Sequence, residues 1–176
     1  MNVTLIGMPA AGKSVIGILL AKKLGYDFVD SDLLIQKQEG RLLREIIQEK
    51  GLDEFKRIEE KVNAELAAEH SVIAPGGSVI YGQKAMEHLQ QISLVVYLKV
   101  PFQELEIRLG DLKTRGVVFE EGMTLLDLYQ ERTPYYEKYA MAEVDETGKS
   151  PEEIVSEIVS LVQERIKAGE NSYCKF

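Results

Sequence analysis

The chain has 176 residues, with a hydrophobic share of 45% and a charged share of 28%, values that suit one globular domain. The formal net charge of −8 opposes non-specific binding to nucleic acid, because phosphates require a basic face. No apolar run approaches the roughly 18 residues of a membrane span, and the N-terminus lacks the pattern of a secretory signal. The single cysteine, Cys174, excludes an internal disulfide and a multi-cysteine zinc site. We therefore expect a cytoplasmic protein that binds neither nucleic acid nor a membrane.

Apolar runs alternate along the chain with longer amphipathic segments, a pattern that indicates strands followed by helices. Strands are predicted at residues 4–6, 26–29, 71–74, 94–98 and 143–145. Helices are predicted at residues 13–24, 33–38, 42–50, 54–69, 84–91, 102–109 and 123–139, and from 150 to about 167. This alternation predicts a parallel sheet with helices on both faces, a three-layer α/β/α sandwich.

The same pattern indicates the domain organisation. Residues 1–168 are interpreted as a single domain, and residues 169–176 as a flexible tail. Residues 110–122 contain three glycines and mixed charge without a sustained period. Such a segment is typical of a mobile loop rather than of a linker between domains.

A phosphate-binding motif, the P-loop, follows the first predicted strand. The pattern G-x-x-x-x-G-K-[ST] is matched by Gly7-Met8-Pro9-Ala10-Ala11-Gly12-Lys13-Ser14. Glycines let successive backbone N–H groups point at phosphate oxygens, and the following helix adds its positive N-terminal end. We expect Lys13 to reach the β- and γ-phosphates of ATP, and the Ser14 hydroxyl to bind Mg²⁺. The residues predicted to bind the nucleotide here are Gly7, Ala10, Ala11, Gly12, Lys13, Ser14 and Val15.

Two aspartates, Asp30 and Asp32, lie where the second predicted strand ends. Ligands bind at the carboxyl ends of the strands in open parallel sheets. One carboxylate would reach the water shell of the metal, and the other would orient or deprotonate a substrate hydroxyl. Helix capping explains the pair equally well, because an apolar segment follows and aspartate is a favoured N-cap.

Taken with the P-loop, several further segments make the chain resemble a shikimate kinase, within the nucleoside-monophosphate-kinase-like group of P-loop proteins. The matching segments are Phe28-Val29-Asp30-Ser31-Asp32, Glu54-Phe55-Lys56-Arg57-Ile58-Glu59, Pro75-Gly76-Gly77, Arg115 and Arg132-Thr133-Pro134-Tyr135-Tyr136. The resemblance implies a five-stranded parallel sheet, a lid at about residues 110–122 and a substrate-binding region at about residues 32–62. It also implies an ATP-dependent kinase of aromatic amino acid biosynthesis that phosphorylates a hydroxyl of shikimate as a monomer.

The resemblance implies roles for individual residues. Asp30, with Ser14, would bind Mg²⁺ through water, and Asp32 would act as the base. Arg115 would close over the phosphates from the lid, and would be catalytic together with Lys13 and Asp32. The acceptor would be bound by Asp32, Lys56, Gly76, Gly77 and Arg132. The adenine would lie between Arg108 and Pro151.

Three positions depart from the pattern of that family. Lys56 replaces an arginine, Pro75 replaces the first of three glycines, and Gly116 replaces the proline after the lid arginine. Lysine keeps the charge of arginine but lacks its planar two-donor fork. Two other interpretations therefore stay open: a kinase of the same fold with a different small hydroxyl acceptor, and a nucleotide-binding regulatory protein without an acceptor.

Overall fold

The structure is a computed structural model that describes residues 1–109 and 122–173. Most of the predicted lid, with Arg115 and Gly116, lies outside the described residues, as does Cys174. Within the described part of the chain, none of the helices combines the length and the hydrophobicity that a membrane span requires.

Five strands form one sheet: β1 (Asn2–Ile6), β2 (Asp27–Asp30), β3 (Ser71–Ala74), β4 (Ser93–Lys99) and β5 (Ala142–Asp145). Their order is β2-β3-β1-β4-β5, and every neighbouring pair is parallel. Strands β1 and β3 are buried along their whole length, as expected for a parallel sheet with helices on both faces. The predicted α/β class and the five-stranded parallel sheet are confirmed.

The helices in the described residues are α1 (Lys13–Leu24), α2 (Ser31–Glu39), α3 (Leu43–Lys50), α4 (Leu52–Ala64), α5 (Gln83–Ile92), α6 (Phe102–Leu109), α7 (Leu125–Tyr139) and α8 (Pro151–Tyr173). Helix α4 ends at Ala64, before its predicted end at residue 69, and the chain then passes through His70, which is left-handed at φ 48°, to enter β3. Helix α8 continues past the predicted end at about residue 167. Residues 169–173 are therefore helical, and the flexibility of the tail stays a prediction.

The apolar core has two parts. The larger part surrounds the central strands, and the smaller part joins α2, α3 and α4. The buried members of the smaller part are Ile35, Ile46, Phe55 and Val62. These three helices thus share apolar contacts of their own, and they carry the predicted substrate-binding region.

Candidate active site

A cavity of about 840 Å³ opens at the carboxyl ends of β1, β2 and β3. The sheet order places β1 between β3 and β4, and a crevice forms at such a switch in strand order. The predicted site residues that line the cavity are Ala10, Gly12, Lys13, Ser14, Val15, Asp30, Asp32, Lys56, Gly76, Gly77, Arg108, Arg132 and Pro151. Gly7 and Ala11 do not line it, and Arg115 lies outside the described residues. The structure therefore brings together segments that are more than a hundred residues apart in the chain.

The P-loop adopts a backbone that its glycines permit. A Cβ atom on Gly7, whose φ is +153°, would lie 2.8 Å from the carbonyl oxygen of Leu98 on β4. Gly12 is left-handed at φ +81°, directly before α1. Ala10 is also left-handed, at φ 63°, which costs a residue with a Cβ atom about 1–2 kcal/mol. Gly7 and Ala11, which is fully buried, support the loop from behind the cavity.

Lys13 lies folded against the inner side of the loop. Its Nζ donates hydrogen bonds to the carbonyl oxygens of Gly7 at 2.9 Å and Met8 at 3.0 Å. Burial of the ammonium group lowers the pKa of Lys13 to about 8, although the charge of Asp32 acts in the opposite direction. The ammonium is thus already removed from water beside the place where phosphates would bind.

The structure places the two aspartates, which their position at the end of a strand did not by itself distinguish, in different surroundings. Asp30 caps α2, since its Oδ1 accepts hydrogen bonds from the backbone N–H groups of Asp32 at 3.0 Å and Leu33 at 3.3 Å. Asp32 is not a cap, and among the described residues its Oδ1 has no hydrogen-bond partner. Burial, and then the charge of Asp30, raise the pKa of Asp32. Oδ1 of Asp32 is therefore available to a ligand in the cavity.

Glu59 is a site residue that the sequence analysis did not predict. It is 1% exposed and lines the cavity, where the Oγ of Ser78 donates a hydrogen bond of 2.5 Å to its Oε2. Its Oε1 has no hydrogen-bond partner in the part of the chain that the structure describes. Burial raises the pKa of Glu59 to about 7. The helical pattern of α4 could have identified Glu59. Phe55, Glu59 and Val62 share one helical face, and a glutamate between two apolar residues on such a face is unusual.

The Glu59→Gln variant should change how stability depends on pH. Folded Glu59 keeps its proton up to about pH 7, above its ordinary pKa of 4.5, so the stability of the wild type falls as pH rises between these values. Glutamine has no proton to lose, so its free energy of unfolding should not fall in this way. As pH rises, the variant should therefore gain stability relative to the wild type, by about 3 kcal/mol at most. Urea unfolding at pH 5 and pH 8 measures this gain. Glu69→Gln, at an exposed position, is the control. If the stability of wild type and Glu59→Gln depended on pH in the same way, the pKa of Glu59 would not be raised.

Two glycines after β3 allow charged groups to approach one another. A Cβ atom on Gly76 would collide with Oε1 of Glu59 and lie 2.9 Å from Oδ1 of Asp32. A Cβ atom on Gly77 would lie 3.0 Å from Nη1 of Arg132. The buried hydroxyl of Tyr136 donates a hydrogen bond of 2.8 Å to the carbonyl oxygen of Gly77 and fixes this turn.

Two cations, Lys56 and Arg132, line the part of the cavity that was predicted to bind the acceptor. Arg132 is 7% exposed, and its Nε donates a hydrogen bond of 3.2 Å to the hydroxyl of Tyr81. The Nζ of Lys56 lies 4.9 Å from the centroid of the same ring. Tyr81 ends a single 3-10 turn, Val79–Tyr81, that the sequence analysis did not predict. Lys56 and Arg132 were predicted here, and the aromatic ring that both of them contact was not.

The opposite end of the cavity surrounds Arg108 and Pro151. Arg108 forms ion pairs with Glu146 at 2.7 Å and Glu104 at 3.2 Å, and its Nη1 also donates to the carbonyl oxygen of Ala10 at 3.4 Å. Glu146, which was not predicted, is 3% exposed, and burial raises its pKa. These contacts hold the guanidinium beside the P-loop, where a nucleotide base would follow the phosphates.

Two oxygen donors near the P-loop fit Mg²⁺. Ser14 and Asp30 both line the cavity. In the described residues there is no group of three or more histidine, cysteine, aspartate and glutamate side chains that could hold a metal ion. Mg²⁺ keeps several waters and is bound by one or two protein ligands together with substrate phosphates. The available donors therefore fit a magnesium ion that arrives with ATP.

A phosphate-binding loop, buried carboxylates and two cations around one cavity define a P-loop kinase of small molecules. The sequence profile described as "Shikimate kinase" matches residues 9–163. The chain is 35% identical to a shikimate kinase from Rippkaea orientalis over 170 residues, covering 95% of this chain and 90% of the relative. It is 38% identical to a shikimate kinase from Clostridium botulinum, covering 78% of this chain and 83% of the relative. The chain belongs to the shikimate kinase family.

A solved structure of the same family has the same fold. Shikimate kinase from Acinetobacter baumannii in complex with shikimate matches with a TM-score of 0.84 at 30% identity, covering 93% of each chain. The protein is accordingly an enzyme, a small-molecule kinase of a family that uses ATP.

Proposed function

We propose that the protein transfers the γ-phosphoryl group of MgATP to a hydroxyl of shikimate, giving ADP and shikimate 3-phosphate. The observation that carries this proposal is the composition of the cavity. Its P-loop side presents Lys13, and its other side presents Asp32 with the cations Lys56 and Arg132. A hydroxyl acceptor that bears a carboxylate complements this second side, and shikimate is the substrate named for the relatives of the chain.

The donor side binds and orients ATP. The backbone N–H groups of the P-loop and the N-terminus of α1 attract the phosphates, and the ammonium of Lys13 neutralises charge on the transferring group. Arg108 and Pro151 enclose the adenine. Arg115, in the predicted lid, adds a second cation over the phosphates when the lid excludes water.

The acceptor side binds and activates the hydroxyl. Lys56 and Arg132 hold the carboxylate of the acceptor, while Gly76 and Gly77 leave room for its ring. Asp32 accepts the hydroxyl proton as the oxygen attacks the γ-phosphorus, and the bond from that phosphorus to the bridging oxygen of ADP breaks. Ser14 and Asp30 would hold Mg²⁺, which would supply positive charge to offset that of the phosphates.

The acceptor assay tests this proposal directly. ADP release from MgATP should be stimulated by shikimate, and mass spectrometry should identify a singly phosphorylated product. The assay is repeated with other hydroxy acids, amino-acid alcohols and sugars, because Lys56 replaces an arginine of the family. Stronger turnover of another compound would assign a different acceptor. Tight ATP binding without stimulation by any compound would favour a regulatory protein.

The proposed function also includes the location and the oligomeric state of the enzyme. We propose a cytoplasmic monomer that does not act on nucleic acid, because one chain supplies residues to both sides of the cavity and the net charge is −8. Light scattering of the purified protein measures the oligomeric state.

A further inference from the structure

Tyr81 contacts three charged residues at the acceptor end of the cavity. The Nζ of Lys56 lies 4.9 Å from its ring centroid, and the Cζ of Arg132 lies 5.4 Å from the same centroid. The Tyr81 hydroxyl accepts a hydrogen bond of 3.2 Å from Nε of Arg132 and donates one of 2.6 Å to Oε1 of Glu131. The ring also packs against that of Tyr135 in a T-shaped arrangement, with centroids 5.6 Å apart. The phenol is therefore held in place on several sides.

An aromatic ring is well suited to hold two cations near each other. The negative face of the ring attracts both charges, which partly offsets their mutual repulsion. A carboxylate at the same position would pair with the cations and occupy their N–H donors. The ring itself carries no net charge, and both cations line the cavity in which a ligand would bind. Burial raises the pKa of Tyr81, which keeps the hydroxyl protonated and able to donate to Glu131.

This support matters more for a lysine than for an arginine. The ammonium of Lys56 is a point charge at the end of a flexible stem, whereas a guanidinium carries its donors in a rigid plane that matches a carboxylate. A lysine that binds a carboxylate at one defined position therefore needs an external surface to orient it. The ring of Tyr81 provides that surface at 4.9 Å. The turn Val79–Tyr81 directly follows the Gly76–Gly77 segment, so the ring is attached to the wall of the acceptor pocket.

We propose that Tyr81 is a positioning residue for the acceptor carboxylate: its ring holds Lys56 next to Arg132 so that both cations bind that carboxylate. The inference rests on the proposed function, because it takes the acceptor to be a carboxylate. It adds a specificity determinant to the reaction, since an acceptor without the negative charge gains nothing from the paired cations.

Kinetics with a charged and an uncharged acceptor test the role of Tyr81. Wild type, Tyr81→Leu and Tyr81→Phe are compared with shikimate and with its methyl ester at saturating MgATP. Tyr81→Leu should lower the preference for the acid over the ester, as the ratio of kcat/KM values, by about tenfold, and should leave KM for ATP unchanged. Tyr81→Phe keeps the ring and should lower the ratio by about threefold, through the lost hydrogen bond from Arg132. If the ester turns over too slowly, its Ki as a competitive inhibitor replaces kcat/KM.

Two further variants separate positioning from general structural damage. Tyr26→Leu removes a half-buried tyrosine that packs on His70, and should leave the ratio unchanged. In a Lys56→Arg background, Tyr81→Leu should lower the ratio by only about threefold, the loss expected from the Arg132 hydrogen bond alone, because the guanidinium fork needs no support from the ring. An equal loss for acid and ester in Tyr81→Leu would overturn this inference while leaving the proposed function in place. Absence of shikimate turnover in the wild type would overturn both.

Discussion

The Asp32→Asn variant is expected to lower kcat for shikimate phosphorylation by about 10³-fold, because asparagine cannot accept the hydroxyl proton. The geometry explains why the loss should be specific. Asp32 presents an Oδ1 that no other described residue engages, next to the cavity wall formed by Gly76. Asparagine has nearly the same shape and carries no charge, so it avoids the cost of charge burial that raises the pKa of Asp32, and the variant should fold. Affinity for ATP should change by less than about threefold, since the donor groups are untouched.

Single-turnover kinetics and ATP titration together measure these two effects. Asp27→Asn is the matched control, because Asp27 lies on the same strand, β2, and is exposed. It should retain wild-type kcat. If Asp32→Asn turned over shikimate at a rate near that of the wild type, Asp32 would not be the base.

The Lys13→Met variant should lower kcat/KM for ATP by about 10³-fold, because methionine keeps much of the stem and loses the charge that offsets the γ-phosphate. The ammonium of Lys13 is held 2.9 Å and 3.0 Å from two carbonyl oxygens of the loop, and burial has lowered its pKa to about 8. Much of the cost of removing this charge from water is therefore met before ATP arrives. Bound phosphates would stabilise the charged form and raise the pKa again.

The pH dependence of ATP binding gives Lys13 an independent test. Binding prefers the protonated lysine, so the Kd for ATP should rise as pH increases above about 8 in the wild type. Lys13→Arg stays charged over this range, and its Kd should not rise in the same way. Lys22→Met, at an exposed position of α1, is the control for loss of a cation from that helix. A Kd that is independent of pH in the wild type would contradict the role assigned to Lys13.

Much of the donor side was predictable because its information is local. The P-loop is read from eight consecutive residues between a strand and a helix, and the backbone that Gly7 and Gly12 permit is set within that segment. The alternation of apolar runs and amphipathic segments similarly predicted the five strands and their parallel class. The resemblance to the family, carried by several short segments, added candidate acceptor residues such as Lys56 and Arg132.

The acceptor side depended on contacts that no local pattern contains. Glu59 follows the apolar period of α4, and its raised pKa arises from burial among residues of distant segments. Tyr81 has a role only because Lys56, from α4, and Arg132, from α7, meet at its ring. The resemblance already gave Asp30 and Asp32 different roles, but only the path of the backbone after β2 shows that Asp30 caps a helix while Asp32 faces the cavity without a partner among the described residues. Spacing along the chain thus sets how the phosphates are bound, whereas burial and charge placement in the folded molecule decide how the acceptor is recognised.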